Sequence, residues 1–309
     1  RRVGGLSHRW LPFADAATVD LTLPRLWRLS LFQLSTGMAI VLLTGTLNRV
    51  MVVELGQGTS LVSLMLAIPL LMAPARALIG YRSDHHRSYL GWRRIPYLWS
   101  GTLMQFGGLA FMPFALILMI EPHSGPPIIG PIAAMGSFLL TGLGMHVSQT
   151  AGLALATDLA TEESRPRVVA LLYLMLLVGM ISSAVIFAAL LDDFSYVRLI
   201  QVIQSAAVIT LILNVAAMWK QEVRHPELTD HERERPTFGS AWGEFINLPK
   251  ARRLLWALGL GTMGFTMQDI LLEPYGAHVL GLSVSETTLL TALFAGGMVL
   301  ALLMTSRTL

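Results

Sequence analysis

Polar and ionisable side chains interrupt two of the apolar stretches of this sequence. Both sets lie within runs long enough to cross a bilayer: Asn48, Arg49, Gln268, Asp269 and Glu273. A charge inside such a run is costly, so it usually faces a cavity or a partner and marks a functional site. We expect Arg49 to pair with Glu273 or Asp269 across a central cavity, as a gate or a structural lock. In the alternative, Arg49 and Glu54 lie at the membrane rim and extend their charged ends to the headgroups.

Two polar connections carry a second pattern, in which an acidic residue is followed by arginines. The residues that we expect to act there are Gly80, Asp84, Arg87, Arg93, Arg94, Asp158, Arg165 and Arg167. Gly80 would allow close helix packing, and Asp84 would pair with basic groups and hold one helix bundle against another. Asp158 needs a cation to offset the helix dipole at its end of a helix, and Arg76 is the expected partner. The alternatives are that these arginines only set topology and that Arg76 extends to lipid headgroups.

The composition indicates the environment in which these groups act. The chain has 309 residues, of which 54% are hydrophobic and only 13% charged, with a mean hydropathy of +0.61. Soluble domains carry about 25% charged residues, so an ordinary soluble enzyme is excluded and a membrane protein is indicated. Cysteine is absent, which excludes disulfides and thiolate sites. The sequence also lacks a phosphate-binding loop and metal-ligand spacing, so we expect no nucleotide, no metal and no enzymatic activity.

Eight apolar runs are long enough to span a bilayer as helices, which need about 20 residues. They fall at 31–53, 61–81, 95–120, 128–157, 168–191, 196–219, 254–273 and 282–304. With the N-terminus inside, every Lys and Arg except Arg49, Arg76 and Arg198 falls in a segment on the inner side, as the positive-inside rule requires. The net charge of +3 therefore reflects topology, and nucleic acid is not an expected partner. We also expect no cleaved signal peptide, because residues 1–30 are polar.

A long polar segment and a weak repeat indicate two related halves. Within the long connection, residues 238–248 have the spacing of a short amphipathic helix on the inner membrane face. A shift of 225 residues places Gly56 on Gly281 and Arg82 on Arg307, and it maps the first two spans onto the last two. We predict twelve spans, with four helices expected after the last residue; an eight-span protein is the alternative. The predicted parts are a cytoplasmic segment (1–29), a six-helix bundle (30–219), a cytoplasmic linker (220–253) and two helices of an incomplete second bundle (254–309).

The two loop patterns resemble the inner-loop signatures of the major facilitator superfamily. Three stretches are more specific and closely resemble the PucC/LhaA family, a branch of that superfamily found in phototrophic bacteria: TGTLNRVMVVELG (44–56), GWRRIPY (91–97) and MQDILLEPYG (267–276). The likeness runs from about residue 29 to residue 309. It implies an all-α polytopic fold of the major facilitator type in the inner photosynthetic membrane, with the N-terminus in the cytoplasm.

The resemblance also implies bacteriochlorophyll as cargo and a role in assembling the light-harvesting complexes LH1 or LH2. The implied partners are antenna polypeptides, bacteriochlorophyll synthase, the reaction-centre complex and membrane lipid. The magnesium of a bacteriochlorophyll needs an axial ligand, and His146 is the deeply placed histidine of the eight. We expect His146 to contact the pigment together with Met145 and Gln149. In the alternative, His146 is only hydrogen-bonded within the helix bundle.

Three functions remain open at this point. The first is an assembly factor that delivers bacteriochlorophyll to antenna polypeptides. The second is a proton-coupled secondary transporter of pigment or another amphiphile, and the third is a structural subunit of a photosynthetic complex. Proton coupling needs a carboxylate deep in a span, and Asp269 and Glu273 approach that description. Their nearness to the outer end favours the assembly factor.

Overall fold

The described chain is helical. The computed structural model describes residues 21–120, 126–224, 226–230 and 235–308, and these ranges contain no strand. The fold class is therefore that of an all-α polytopic membrane protein. The helices are α1 (Leu23–Glu54), α2 (Thr59–Asp84), α3 (Ile95–Ile120), α4 (Ile129–Leu159), α5 (Arg165–Leu190), α6 (Tyr196–Met218), α7 (Pro226–Thr229), α8 (Phe238–Ile246), α9 (Pro249–Leu280) and α10 (Val284–Thr308).

Seven of the described helices are long and apolar enough to cross a membrane. They are α1 to α6 and the Val284–Leu302 part of α10. The seventh predicted span forms the helix α9, which is not among these seven, so seven of the eight predicted spans are matched by candidate spans within the described residues. Basic residues in its first turns, such as Lys250 and Arg253, and the polar pair Gln268 and Asp269 lower its apolar content.

Successive connections between the spans lie at opposite ends of the packed helices. Asp84 at the end of α2 and Asp158 at the end of α4 both bind Arg94, so these connections lie together. We call this side the basic end, formed by residues 85–94, 160–164 and 219–224. At the opposite end, the Tyr196 hydroxyl donates to the Glu54 carbonyl oxygen at 3.3 Å. This alternation agrees with the distribution of charge in the sequence.

α1 is the most buried span and forms the centre of the packing. Of its apolar window, 83% is buried, against 22–39% for the other candidate spans. Gly37 of α1 and Gly179 of α5 lie against the backbone of the opposite helix, where a Cβ would overlap main-chain atoms. Gly101 of α3 and Gly144 of α4 pack in the same way. Such close approach stabilises helix pairs in lipid, where apolar burial gives no driving force.

The second half of α1 contains wider, π-type turns. Residues Val41–Leu47 and Val50–Glu54 have π-helical hydrogen bonding. Such turns shift the following side chains to a different face from the one that a regular α-helix predicts, and they concentrate at functional sites. In α1 they flank Asn48 and Arg49.

The helix α1 begins before the predicted first span. The helix begins at Leu23, inside the segment 1–29 that was expected to precede the membrane. Pro24 in its first turn favours a helix start, and Leu26 and Leu29 are fully buried. These residues therefore belong to the packed helix, whereas residues 1–20 lie outside the described part.

The end of α9 also differs from the sequence prediction. The helix continues through Pro274 and ends before Gly281, which has a φ of +67°. A glycine in this left-handed conformation is a common helix stop. Gly56, which the repeat places on Gly281, follows α1 with a φ of +59°. The two matched glycines thus have the same conformation at equivalent helix ends.

The predicted amphipathic helix is present as α8. The Thr237 side chain caps its start by accepting from the Ser240 amide at 3.3 Å. Phe238 packs against Tyr81 of α2, with ring centroids 5.4 Å apart, and the Tyr81 hydroxyl donates to the carbonyl oxygen of Pro236. The linker is therefore attached to the end of α2.

Candidate functional site: a polar seam between α1, α9 and α10

A set of mostly buried polar side chains lies where α1 meets α9 and α10. We call it the polar seam, and its members are Thr46, Asn48, Arg49, Glu273, Thr288 and Thr291. The seam contains Asn48, Arg49 and Glu273 of the predicted gate. Gln268 is instead exposed, and the side chain of Asp269 lies outside what the structure describes.

Asn48 satisfies a carbonyl group that a proline leaves free. Its side-chain Nδ2 donates to the carbonyl oxygen of Ile270 in α9 at 2.7 Å. In a regular helix the amide of residue 274 would donate to that oxygen, but Pro274 has no N–H. A free carbonyl is costly inside a membrane protein. The hydrogen bond from Asn48 therefore both compensates the proline and ties α9 to α1.

Arg49 connects the same region to the turn between α9 and α10. Its side chain is only 5% exposed, and its Nη1 pairs with Glu54 of α1 at 2.6 Å. Its Nη2 donates to the carbonyl oxygen of Leu282 at 3.3 Å. Within the described residues, Arg49 forms no ion pair with Glu273. The expected pair across a cavity is thus replaced by a pair along α1, and the buried guanidinium does not match the alternative of a charge that extends to the headgroups.

Glu273 occupies a tight, buried position in the seam. The residue is 1% exposed, and its Oε1 accepts a hydrogen bond from the Thr291 hydroxyl of α10 at 2.6 Å. Its Oε2 has no hydrogen-bond partner in the described part of the chain. Gly45 of α1 lies so close that a Cβ there would overlap the carboxyl group. The carboxyl group of Glu273 in α9 therefore contacts both α1 and α10.

The three residues predicted to bind pigment line one cavity. The cavity of about 200 Å³ has walls from α1, α2, α4 and α9, and His146, Met145 and Gln149 all contribute to it. The Nε2 of His146 donates to the Pro69 carbonyl oxygen at 2.9 Å, while its Nδ1 has no partner among the described residues. Gln149 donates to Gln33 of α1 at 3.2 Å. Ligand pockets have volumes of about 300–1,000 Å³, so this cavity is smaller than a large ring requires.

Arg94 is the centre of the charge cluster at the basic end. The residue is 5% exposed, and it pairs with Asp84 and with Asp158 at 3.0 Å. It also donates to the Ser83 hydroxyl at 2.7 Å, and Arg93 lies 3.5 Å from Asp158. The two predicted loop motifs therefore meet in one network through Arg94.

Two details of that prediction are corrected by the structure. Arg76 does not pair with Asp158; its Nε donates to the Thr150 hydroxyl of α4 at 3.2 Å, because Arg76 lies two turns before the end of α2. At Gly80 a Cβ would meet only the Thr150 methyl group, at an ordinary 3.6 Å. Close helix approach therefore does not require this glycine.

The remaining arginines of the motifs lie at the surface. Arg87, Arg165 and Arg167 are exposed, and the Nε of Arg165 donates to the Thr157 carbonyl oxygen at 3.3 Å. Across the described ranges, no group of three or more His, Cys, Asp or Glu residues is arranged to hold a metal ion.

Comparison with known proteins assigns the chain to a family. A model of the family described as PUCC protein matches residues 46–309, a range that includes the whole polar seam. The chain belongs to the PucC family. It is similar to Protein PucC of Rhodovulum sulfidophilum, with 55% identity over 100% of this chain and 69% of that protein. Protein PucC of Rhodobacter capsulatus is 54% identical over 94% of this chain and 64% of its own length.

A more distant relative carries a different name. The Bacteriochlorophyll synthase 44.5 kDa chain of Rhodobacter capsulatus is 28% identical over 90% of this chain and 63% of its own length. The chain thus spans about two thirds of the length of the curated relatives that it matches.

Several residues in or beside the polar seam of this PucC-family chain were not among the predicted site residues. Thr288 and Thr291 were missed, although their spacing of three residues places them on one helix face. Gly45 was missed because a glycine in a span has many packing roles. Pro274 provided the clearest overlooked signal, since a proline inside a helix requires a donor for the freed carbonyl.

Proposed function

We propose that this PucC-family chain is part of an assembly factor for light-harvesting complexes that binds bacteriochlorophyll and delivers it to antenna polypeptides. Membership of the PucC family supports a role in photosynthetic complex assembly. The name of the distant relative, a bacteriochlorophyll synthase chain, supports pigment as the cargo. The proposed role is binding and transfer, without catalysis, in the inner photosynthetic membrane with the N-terminus in the cytoplasm.

The proposal also includes the architecture and the partners. We propose a twelve-span protein of the major facilitator type, whose relatives are longer than this chain. The proposed partners are antenna polypeptides of LH1 or LH2, bacteriochlorophyll synthase, the reaction-centre complex and membrane lipid.

The position of α9 beside the His146 cavity carries the mechanistic part of the proposal. Thr266 and Ile270 of α9 form one wall of that cavity. The carbonyl of Ile270 is also the group that Asn48 binds. The same hydrogen bond thus holds α9 against α1 and closes the cavity. Movement of α9 away from α1 would open the cavity toward the membrane interior.

The chemistry of the cavity fits a pigment only after such an opening. In the closed state the volume of about 200 Å³ is too small for a ligand of pigment size. The Nε2 of His146 donates a hydrogen bond to the Pro69 carbonyl oxygen, so Nδ1 is the nitrogen left to bind magnesium. Met145 and Gln149 line the same cavity and would contact the ring.

Absorption of the purified full-length protein tests this function. Protein isolated from pigment-containing membranes should carry bacteriochlorophyll together with antenna peptide. The variant His146→Leu should lose most of the pigment while its elution and helix content stay unchanged. The matched control His278→Leu changes an exposed histidine and should retain pigment. Equal pigment in both variants would refute ligation by His146.

Glu273 supports a second candidate function, a proton-coupled transporter of pigment or another amphiphile. A buried carboxyl group with an oxygen lacking a partner in the described chain is the kind of group on which proton coupling depends. Reconstituted protein that is free of pigment and takes up an amphiphile only with a proton gradient would favour this function. Protein that binds no pigment and transports nothing would instead indicate a structural subunit.

A further inference from the structure

A groove at the basic end is separate from the polar seam and the His146 cavity. It lies between the start of α3 and the end of α6 and has a volume of about 410 Å³. Its walls include Trp92, Trp99, Val215, Met218, Trp219 and Lys220. Three of the seven tryptophans of the chain therefore meet in one place. Tryptophan is enriched where a membrane protein crosses the boundary between hydrocarbon and headgroups.

Hydrogen bonds on both sides hold the wall formed by residues 219–222 in place. Gln221 is buried and exchanges hydrogen bonds with Arg25 of α1, at 3.1 and 3.2 Å. Glu222 accepts from the backbone amides of residues 93, 94 and 95 at 2.7–3.1 Å. Trp219 and Lys220 of the same segment remain exposed. The groove is therefore built by a fixed segment, which lowers the entropy cost of binding a ligand.

The rim of the groove is positively charged. Lys220 forms no hydrogen bond or ion pair with any other described residue, and its left-handed backbone (φ 53°) projects from the end of α6. The guanidinium of Arg224 lies 4.9 Å from the centre of the Trp92 ring. The negative charge of Glu222 is satisfied by the start of α3, where the helix dipole favours an anion. One cation, Lys220, thus lines the groove, and a second, Arg224, lies over a tryptophan ring that forms its wall.

We propose that this groove binds one anionic phospholipid. Its acyl chain lies against the tryptophan rings, Val215 and Met218, and its phosphate group lies at Lys220 and Arg224. An apolar floor with a basic rim matches both parts of such a lipid, and basic pockets between membrane helices bind anionic headgroups. A helix is about 10–12 Å across, so a single helical turn has about the volume of the whole groove. The groove therefore fits a chain-like ligand better than another helix.

Native mass spectrometry of the full-length protein tests the charge requirement. The probes are phosphatidylglycerol and phosphatidylcholine with identical acyl chains. The wild type should retain one phosphatidylglycerol in preference to phosphatidylcholine. The double variant Lys220→Gln/Arg224→Gln should bind it roughly 30-fold more weakly, since each charge near a membrane surface changes affinity roughly five-fold.

The matched control is Lys250→Gln/Arg252→Gln. It removes two exposed charges that lie at the start of α9 and do not line the groove, and it should bind phosphatidylglycerol like the wild type. An equal loss of phosphatidylglycerol binding in both double variants would show a general attraction to positive charge, and it would overturn the proposed site. Equal retention of the two lipids by the wild type would overturn it as well.

Tryptophan fluorescence in lipid nanodiscs tests the location. Brominated phosphatidylglycerol should quench the wild type more than brominated phosphatidylcholine does. This excess should disappear when the three groove tryptophans are replaced by phenylalanine. It should persist in Trp242→Phe/Trp256→Phe, which alters exposed tryptophans elsewhere. Excess quenching that survives in the first variant would refute the groove as the binding site.

Discussion

The hydrogen bond between Asn48 and Ile270 allows a sharp test of the polar seam. Asn48 is 2% exposed, and its amide donates to the Ile270 carbonyl at 2.7 Å. The variant Asn48→Leu removes the donor and leaves the carbonyl unsatisfied, because Pro274 cannot replace it. Hydrogen bonds in membrane proteins contribute about 0.6 kcal/mol on average and up to about 1.7, while an unsatisfied buried group costs about 1–3 kcal/mol. We expect a loss of about 1.5 kcal/mol, which is about a tenfold change in the unfolding equilibrium.

A second substitution should reverse most of this loss. Pro274→Ala restores an N–H that can bond to the Ile270 carbonyl within α9. In that background, Asn48→Leu should cost less than about 0.5 kcal/mol, a coupling of about 1 kcal/mol. Pro113→Ala, which changes a proline inside α3, is the control background and should leave the full cost unchanged.

The measurement is equilibrium unfolding in mixed micelles, followed by tryptophan fluorescence and circular dichroism for each single and double variant. Additive costs, equal within about 0.3–0.5 kcal/mol in the wild-type and Pro274→Ala backgrounds, would refute the role assigned to Asn48.

Two further predictions concern the packing of the seam and the basic end. Gly45→Ala places a methyl group on the Glu273 carboxyl group and should cost about 1–3 kcal/mol of stability. Gly296→Ala, with open space around it, is the control, and a similar melting temperature for both variants would contradict the contact. Arg94→Gln should cost about 1–3 kcal/mol, because it removes a buried guanidinium with three side-chain partners. Arg87→Gln, at an exposed position, should stay within about 0.5 kcal/mol, and equal melting shifts would show that the cluster adds no stability.

The arrangement of spans was largely predictable from the sequence. A bilayer admits helices whose backbone groups bond internally, so apolar length alone locates them. The start of α1 before the predicted span was not foreseen, because Arg25 and Arg28 interrupt the apolar residues around Leu26 and Leu29. The helix α9 is not among the candidate spans, and polar residues such as Gln268 lie within it.

The contacts within the site were less predictable than its members. Asn48, Arg49 and Glu273 were predicted as site residues, and they do lie at one helix junction. Their partners depend on rotation about each helix axis, and the π turns of α1 change that rotation in a way that residue spacing does not reveal. Arg49 consequently reaches Glu54 and the turn at Leu282.

Attachment of the linker to the end of α2 has a consequence for how the chain folds. Thr229 and Ser88 form two hydrogen bonds, at 2.7 and 3.2 Å, and Arg235 donates to the His85 carbonyl at 2.7 Å. The ribosome makes these linker residues before α9. Each attachment divides one long closing loop into shorter ones, and shorter loops lose less chain entropy when they close. The attached linker therefore brings the start of α9 close to helices α1 to α6, which are synthesised before it.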